Sequence, residues 1–294
     1  MRNRFLLCLI VTSFLLGWTL SLVAQSSAGT GAPKVLYIER EEIKPGTGIA
    51  HAKMAASIAK LHAKAGSTGY WLGLVPISGN ESEAIFMAAF PSFEAMETNY
   101  MEMQKKAGAE IEKINQANPG MHTSQRTLIA VLRPDLSYHA DQISAAGIGQ
   151  ARLINVSSFR IRPGRSAQMK EGAKLYYAAL EKANYKDPIA FYMVVAGAPS
   201  GTFLAISGMK SMKEMDVDYD KAIMEALGED GMKKMTSLEQ EANLVMESNL
   251  YAIDPQMSYV SKETAAAAPD FWNPKPAAAV KTAAKPAAKE GEKK

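Results

Sequence analysis

The sequence predicts an α+β protein built from two consecutive units of the order β-α-β-β-α-β. The first observation behind this prediction is an internal repeat: residues 35–46 (VLYIEREEIKPG) match residues 153–164 (LINVSSFRIRPG), and residues 133–138 (RPDLSY) match residues 254–259 (DPQMSY). The second is that strand and helix signals follow in the same order between these markers in both copies. The first match is offset by 118 residues, and a repeat this long indicates a duplicated domain.

The first unit begins with a strand over residues 35–43, because apolar Leu36 and Ile38 alternate with polar residues. Pro45 and Gly46 then predict a turn, since proline presets φ and glycine accepts a positive φ. The remaining elements are predicted, in order, as a helix capped by Thr47 and ended by Gly66, strands at 70–75 and 84–90, a helix starting at Ser92 and ended by residues 118–120 (NPG), and a strand at 127–132.

The second unit repeats this order with its own start and stop signals. Ser211, with Glu214 three residues later, is a capping-box signature for the second helix, and Gly228 and Gly231 predict a break within that helix. Both helices of such a unit cover one face of its sheet, so the other face needs a cover, which the tandem copy supplies. The predicted elements are a strand at 153–161, a helix capped by Ser166, strands at 189–195 and 202–206, the helix after Ser211, and a strand at 250–253.

The N-terminus has the pattern of a secretory signal. Arg2 and Arg4 precede an apolar run over residues 5–24 that is followed by small residues. This predicts a signal peptide over residues 1–28 and export to the periplasm or out of the cell. The alternative is an uncleaved inner-membrane anchor through residues 5–24, because a run of about 20 residues matches a membrane span.

The chain therefore divides into five predicted segments. The last of them is of low complexity and has too little apolar bulk to fold. The segments are the signal peptide at 1–28, a first half at 33–140, a linker at 141–150, a second half at 151–262, and a disordered tail rich in alanine, lysine and proline at 263–294.

Composition excludes several classes of function. The sole cysteine, Cys8, lies in the predicted signal, so the mature chain has no thiol for a disulfide, a metal ion or nucleophilic catalysis. The net charge of +3 comes from two signal arginines and a tail with six lysines, so the folded part is mildly acidic and nucleic acid is not an expected partner. The sequence has no phosphate loop, dinucleotide fingerprint, serine elbow or zinc pattern. We expect no metal, no cofactor and no membrane insertion after signal cleavage.

The order of elements, with strands that end at residues 44–46 (KPG) and 162–164 (RPG), resembles the dimeric α+β barrel superfamily, and NIPSNAP-like proteins are the nearest family in appearance. The resemblance covers residues 33–262. It implies two ferredoxin-like βαββαβ halves that form an intramolecular dimeric α+β barrel, a pseudo-dimer for which a further homodimer is left open. Chlorite-dismutase-like members place a haem-ligating histidine in the second half. All four histidines here lie in the first half, so haem chemistry of that kind is not expected.

The candidate ligand-binding residues are those that the second half lacks. Glu39 and Glu41 project from one face of a strand, about 6.6 Å apart by the strand rise, which suits an acid–base task or a shared cation. The alternative is that they form structural ion pairs with Arg126 or Arg160. The predicted binding set is Tyr37, Glu39, Glu41, His51 and Trp71, which correspond to Asn155, Ser157, Phe159, Met169 and Ile189.

These observations support two interpretations of function. In the first, the chain is an exported NIPSNAP-like protein that binds a small apolar or aromatic molecule or serves as an interaction scaffold. In the second, it is an enzyme, a cofactor-independent monooxygenase or isomerase of the antibiotic-biosynthesis-monooxygenase type that acts on an aromatic substrate. A polar group directed into an enclosed cavity would favour the enzyme, whereas a filled cleft would favour the scaffold.

Overall fold

The computed structural model describes residues 31–274, which form a closed barrel of eight strands covered by helices. The first half contains β1 (Val35–Ile43), α1 (Gly48–Ala65), β2 (Tyr70–Pro76), β3 (Glu83–Phe90), α2 (Phe93–Ala117) and β4 (His122–Leu132). The second half contains β5 (Leu153–Ile161), α4 (Ser166–Lys182), β6 (Ala190–Ala196), β7 (Thr202–Met209), α5 (Tyr219–Ala242) and β8 (Asn243–Tyr259). The short helix α3 (Ala145–Gln150) joins the halves, and α6 (Lys262–Ala266) and α7 (Pro269–Trp272) follow β8.

The strands of each half form one antiparallel sheet, in the order β4-β1-β3-β2 in the first half and β8-β5-β7-β6 in the second. The two sheets join at both edges. β2 pairs with β8, where Leu74 lies opposite Ile253, and β4 pairs with β6, where Ala130 lies opposite Val194. A single chain thus closes the barrel, and the predicted fold class of two tandem halves in an intramolecular α+β barrel is confirmed.

The last strand of each half belongs to both sheets. The residues of β8 up to Ala252 pair with β5, whereas those from Tyr251 onward pair with β2. In the same way most of β4 pairs with β1, and its residues 129–132 pair with β6. Both strands begin earlier than predicted, and β8 also continues past its predicted end at 253 to Tyr259. The first residues of both were missed because they are mostly solvent-exposed and show no apolar alternation.

The barrel interior is filled by apolar side chains from both sheets. Leu36 and Ile38 of β1 meet Leu74, Tyr192 and Ile253 in this core, and Leu74 has no exposed surface. Each such side chain contributes about 1.5 to 3 kcal/mol by leaving water. Because side chains alternate along a strand, the other residues of β1 point outward, toward the helices that cover the sheet.

The predicted turn and helix end of the first half are confirmed. Gly46 has φ of 84°, and Gly66 ends α1 in the left-handed region with φ of 69°. The prediction that Thr47 caps α1 is correct for its position only, because its hydroxyl donates to the carbonyls of Lys44 and Met121 and not to the helix.

Two helix starts in the second half differ from the prediction. Ser166 is the first residue of α4 and not its cap. Ser211 precedes a 3-10 turn, Met212–Asp216, and α5 begins later, where the Asp218 side chain accepts a hydrogen bond from the Lys221 N–H at 3.0 Å. Val217 is extended and separates the two helical pieces. The predicted break at Gly228 is confirmed, since its ψ of 179° is not helical.

The predicted start of the disordered tail needs correction. The linker at 141–150 contains α3, and the tail does not begin at 263, because α6 and α7 pack against the end of the barrel. Trp272 is buried there and its indole N–H donates to the Gly149 carbonyl at 2.8 Å. An aromatic pair at 271–272 gives this segment the apolar area that the rest of the predicted tail lacks.

The predicted signal peptide and the tail beyond residue 274 lie outside the described residues. Within residues 31–274, no helix combines the length and apolar character needed to cross a membrane.

Candidate functional site

A cleft of about 1090 Å³ lies between the outer face of the first sheet and the helices α1 and α2. All five residues of the predicted binding set line it, so the structure brings Tyr37, Glu39, Glu41, His51 and Trp71 together around one space. Its other principal lining residues are His62, Phe86, Phe90, Phe93, Glu94, Glu97, Asn99, Tyr100, Met103, His122 and Gln125.

The floor of the cleft is the outward face of β1. Tyr37, Glu39 and Glu41 lie on this face because β1 sends its alternate side chains into the barrel. Glu39 is opposite Phe86 on one neighbouring strand and Thr127 on the other, so it lies in the middle of the sheet and not at an edge. The period of two that predicted these three residues as a group is therefore the reason they share the floor.

Glu41 and His51 form a buried pair at one end of the floor. The Glu41 carboxylate lies 2.6 Å from His51 Nε2, and the two residues are 6% and 2% exposed. Gln125 adds a longer hydrogen bond to the other carboxylate oxygen, at 3.5 Å. His51 is in the first turns of α1, so the pair ties this helix to the sheet.

The predicted alternative of arginine partners for the two glutamates is wrong. Within residues 31–274 neither Glu39 nor Glu41 forms an ion pair with arginine, and the partner of Glu41 is His51. Arg40, between the two glutamates in sequence, points the other way and pairs with Glu83 at 2.6 Å.

Glu39 is the unusual acid of the site. It is half-buried, and no hydrogen bond or ion pair joins its carboxylate to another side chain among the described residues. Burial, and after it the nearby charge of Glu41, raise the pKa of Glu39 to about 7 against the opposing effect of His51. Burial and the charge of Glu39 also raise the pKa of the Tyr37 hydroxyl. The floor therefore carries an acid that gains and loses a proton near neutral pH.

Aromatic rings form one wall of the cleft. The indole N–H of Trp71 donates to the Met257 carbonyl at 2.9 Å, so the polar tip of this side chain is used to hold β8. The Trp71 ring lies 4.8 Å from His62 in an edge-to-face arrangement and 5.2 Å from Tyr259. Trp71 thus offers a ligand its ring and not its N–H.

His62 is a lining residue that sequence reasoning did not assign. Burial lowers its pKa, which favours the neutral imidazole. The signal that could have identified it is its spacing from His51, because eleven residues along a helix return to nearly the same face. Its contact with Trp71 joins α1 to β2, and the spacing of the two histidines does not predict it.

The roof of the cleft is α2, a predicted helix whose role in the cleft was not predicted. This helix buries Met103 and Ala107, whereas Phe93 and Tyr100, which line the cleft, remain about half-exposed. Asn99 anchors the helix to the loop before β2, because its side-chain oxygen accepts hydrogen bonds from the Ser67 hydroxyl at 2.8 Å and other groups of that loop. An exposed helix with mixed residues looks like a solvated surface in sequence, so its lining side chains gave no signal.

Metal binding finds no support in the part of the chain that the structure describes. No group of three or more histidine, aspartate or glutamate side chains in residues 31–274 is arranged to hold a metal ion. His51, the most buried histidine, is already engaged by Glu41.

Comparisons with known proteins give structural neighbours without a family. No family model and no curated protein matches the chain. It is similar to an anthrone oxidase-like protein (12% identity, 76% of this chain and 93% of that chain, TM-score 0.49) and to a candidate monooxygenase from Lactobacillus acidophilus NCFM (7%, 78% and 99%, 0.47). It is also similar to a mutant chlorite dismutase from Candidatus Nitrospira defluvii (10%, 79% and 96%, 0.47). Likenesses this distant carry no information about the activity of this chain.

Proposed function

We propose that the cleft of the first half binds a small, mainly apolar or aromatic molecule. The observation that carries this proposal is an open space of about 1090 Å³ that has rings on its walls and polar groups gathered on one face. Ligand sites in proteins have this combination of size, apolar lining and few convergent polar groups.

The alternative of a pure interaction scaffold is less consistent with this geometry. A space between a sheet and its own helices forfeits the packing contacts that would otherwise stabilise them. A half whose only task was to complete the barrel would gain stability by filling that space with larger side chains. The first half instead keeps Ala55 and Ala88 on the lining and places carboxylates on the floor.

A blocking substitution tests the proposal. Ala88 lies opposite Tyr37 and Trp71, so Ala88→Phe places a ring in the middle of the cleft. We expect the wild-type protein to bind the neutral probe 2-naphthylmethanol in a titration that follows tryptophan fluorescence, and Ala88→Phe to lose this binding. The matched control is Ser207→Phe at the corresponding position opposite Asn155 in the second half, which should bind as the wild type does. Equal binding by both variants would reject the cleft as the site.

A second candidate function is catalysis by proton transfer, which the unpaired state of Glu39 favours. A general base acts best when its pKa is near the working pH, and burial holds the pKa of Glu39 at about 7. The carboxylate would take a proton from an acidic C–H group of the ligand. Return of that proton to another carbon gives an isomer. Alternatively, a CH₂ group that reacts with O₂ as co-substrate gives a carbonyl and water, which is the overall reaction of a monooxygenase.

Hydrogen exchange distinguishes this second function from binding alone. A candidate ligand with an acidic C–H group, incubated with the protein in D₂O, should exchange that hydrogen for deuterium, as followed by NMR. Glu39→Gln keeps the size of the side chain and removes the base, so exchange should stop while binding persists. Exchange that continues in Glu39→Gln would remove Glu39 from the role of base.

A further inference from the structure

We propose that the ligand of the cleft is an organic cation, an apolar or aromatic amine whose ammonium group lies against Glu39. This inference rests on the small-molecule binding proposed above and adds the charge of the molecule that the cleft selects.

The charges around the cleft are all of one sign or already paired. The lining includes four carboxylates and no lysine or arginine. Of its three histidines, His51 is held by Glu41, and burial disfavours the charged form of His62. The third, His122, is the first residue of β4 and lies five residues before Thr127, the residue opposite Glu39. An anionic ligand would therefore enter a negatively charged space without a fixed cation to receive it. The four carboxylates are Glu39, Glu41, Glu94 and Glu97.

Glu39 lacks the partner that its neighbour has. Glu41 is paired with His51 at 2.6 Å, whereas the carboxylate of Glu39 has no side-chain partner within residues 31–274. A carboxylate removed from water without a counter-ion is costly. An ammonium group placed beside Glu39 would remove this cost, and it would have both the carboxylate and the Tyr37 hydroxyl as acceptors.

The walls reinforce the same preference. Ring faces carry negative charge density and attract a cation within about 6 Å of the ring centre. The cleft combines such rings with an acidic floor, which suits an apolar molecule bearing one positive charge. A neutral phenol could donate a hydrogen bond to Glu39 but would leave the charge of the floor without compensation. The lining rings are Tyr37, Trp71, Phe86, Phe90, Phe93 and Tyr100.

Three probes of nearly equal shape separate the alternatives. 2-Naphthylmethylamine is a cation at pH 8, 2-naphthylmethanol is neutral, and 2-naphthoic acid is an anion. Titrations at pH 8 and low salt should give at least tenfold tighter binding of the amine than of the alcohol, and weaker binding of the acid than of either. Glu39→Gln should reduce the affinity for the amine about tenfold and leave that for the alcohol unchanged. Glu102→Gln, an exposed change elsewhere on α2, is the control and should alter neither.

A pH series on the wild type gives a second measurement that does not depend on a variant. The amine stays charged between pH 8 and pH 6, whereas Glu39 becomes protonated, so affinity for the amine should fall toward that for the alcohol. Other groups that face this space are Glu41 and Tyr37 on the same strand, His51 and His62 on α1, Glu94, Glu97 and Tyr100 on α2, and His122 on β4. A gain of positive charge on any of the three histidines would act in the same direction.

The outcomes distinguish this inference from the proposed function. If the alcohol or the acid binds as tightly as the amine, the cleft binds small molecules but does not select cations, and the inference is overturned while the function stands. If none of the three probes binds at millimolar concentration, both are overturned. If the amine is preferred but Glu39→Gln binds it as well as the wild type, the placement of the charge at Glu39 is wrong.

Discussion

The same face of the sheet is open in the first half and filled in the second. Glu41 on β1 lies opposite Ala84, whereas its counterpart Phe159 on β5 lies opposite Phe203. Met169 of α4, the counterpart of His51, packs on the cluster that Phe159 joins. The second half thus places apolar bulk where the first half places its buried acid and histidine. One backbone arrangement therefore supports either a packed layer or a binding space, depending on the residues at a few positions.

The helices that cover the two sheets differ in the same way. In the second half α4 and α5 pack together around a core containing Tyr138, Leu180 and Ile223. In the first half α2 buries little and stands over the cleft as a roof. The second half therefore stabilises the barrel with a filled layer, and the first half gives up part of that stability to keep the cleft.

The largest effect on stability should come from removing a buried ring from the packed layer of the second half. Phe191→Ala removes a buried ring from the second-half cluster and should lower the free energy of unfolding by about 3 to 5 kcal/mol, measured in urea. Phe86→Ala removes a ring that borders the cleft and is only half-buried, so its cost should be less than half as large. Equal costs would contradict the contrast between a filled and an open layer.

A transplant of the second-half residues should show a smaller but more specific effect. His51→Met leaves the buried Glu41 carboxylate without its partner and should cost about 3 kcal/mol. Adding Glu41→Phe recreates the pair of Phe159 and Met169, so the double variant should recover most of that loss. It should also lose binding of 2-naphthylmethanol, because the new ring enters the cleft. A double variant no more stable than His51→Met would show that the two layers are not interchangeable.

The smallest of these effects concerns pH. The pKa of Glu39 is about 7 in the folded protein against an ordinary value of 4.5. Between pH 4.5 and pH 7 the folded protein therefore keeps a proton on Glu39 that the unfolded chain has released. Stability of the wild type should therefore fall as pH rises from 4.5 to 7. Glu39→Gln has no charge to desolvate and should be about 1 to 3 kcal/mol more stable than the wild type at pH 8, and nearly equal to it at pH 4.5. The check is urea unfolding at both pH values, and a lower stability of Glu39→Gln at pH 8 would mean that Glu39 has a partner that supports the fold.

Much of the architecture could be predicted because its signals are local patterns of residues and because they occur in both halves of the chain. The alternation of Leu36 and Ile38 with outward residues fixes the faces of β1, and the Pro-Gly turn recurs in both halves. The early residues of β4 and β8 were missed because partner strands and not apolar alternation hold them in place. The packing of Trp272 was missed because the sequence around it is rich in alanine, lysine and proline, and the single aromatic pair at 271–272 did not change the prediction of a disordered tail.

The candidate site was predictable to the extent that one strand carries it. Tyr37, Glu39 and Glu41 share a face by the period of two, which the sequence shows directly. The pairing of Glu41 with His51 depends on how α1 lies on the sheet, and the roof depends on how far α2 stands from it. Both features depend on how one element is placed relative to another, and the spacing of residues within a single element does not predict that placement.

The strand β8 has a consequence for how the protein comes apart. Because its two ends are hydrogen-bonded into different sheets, neither sheet can be lost without pulling a strand out of the other. Heating or denaturant should therefore melt the two halves in a single cooperative transition, although only one of them carries a tightly filled layer. The cleft, which adds little stability of its own, is maintained by a half of the chain that contributes none of its lining.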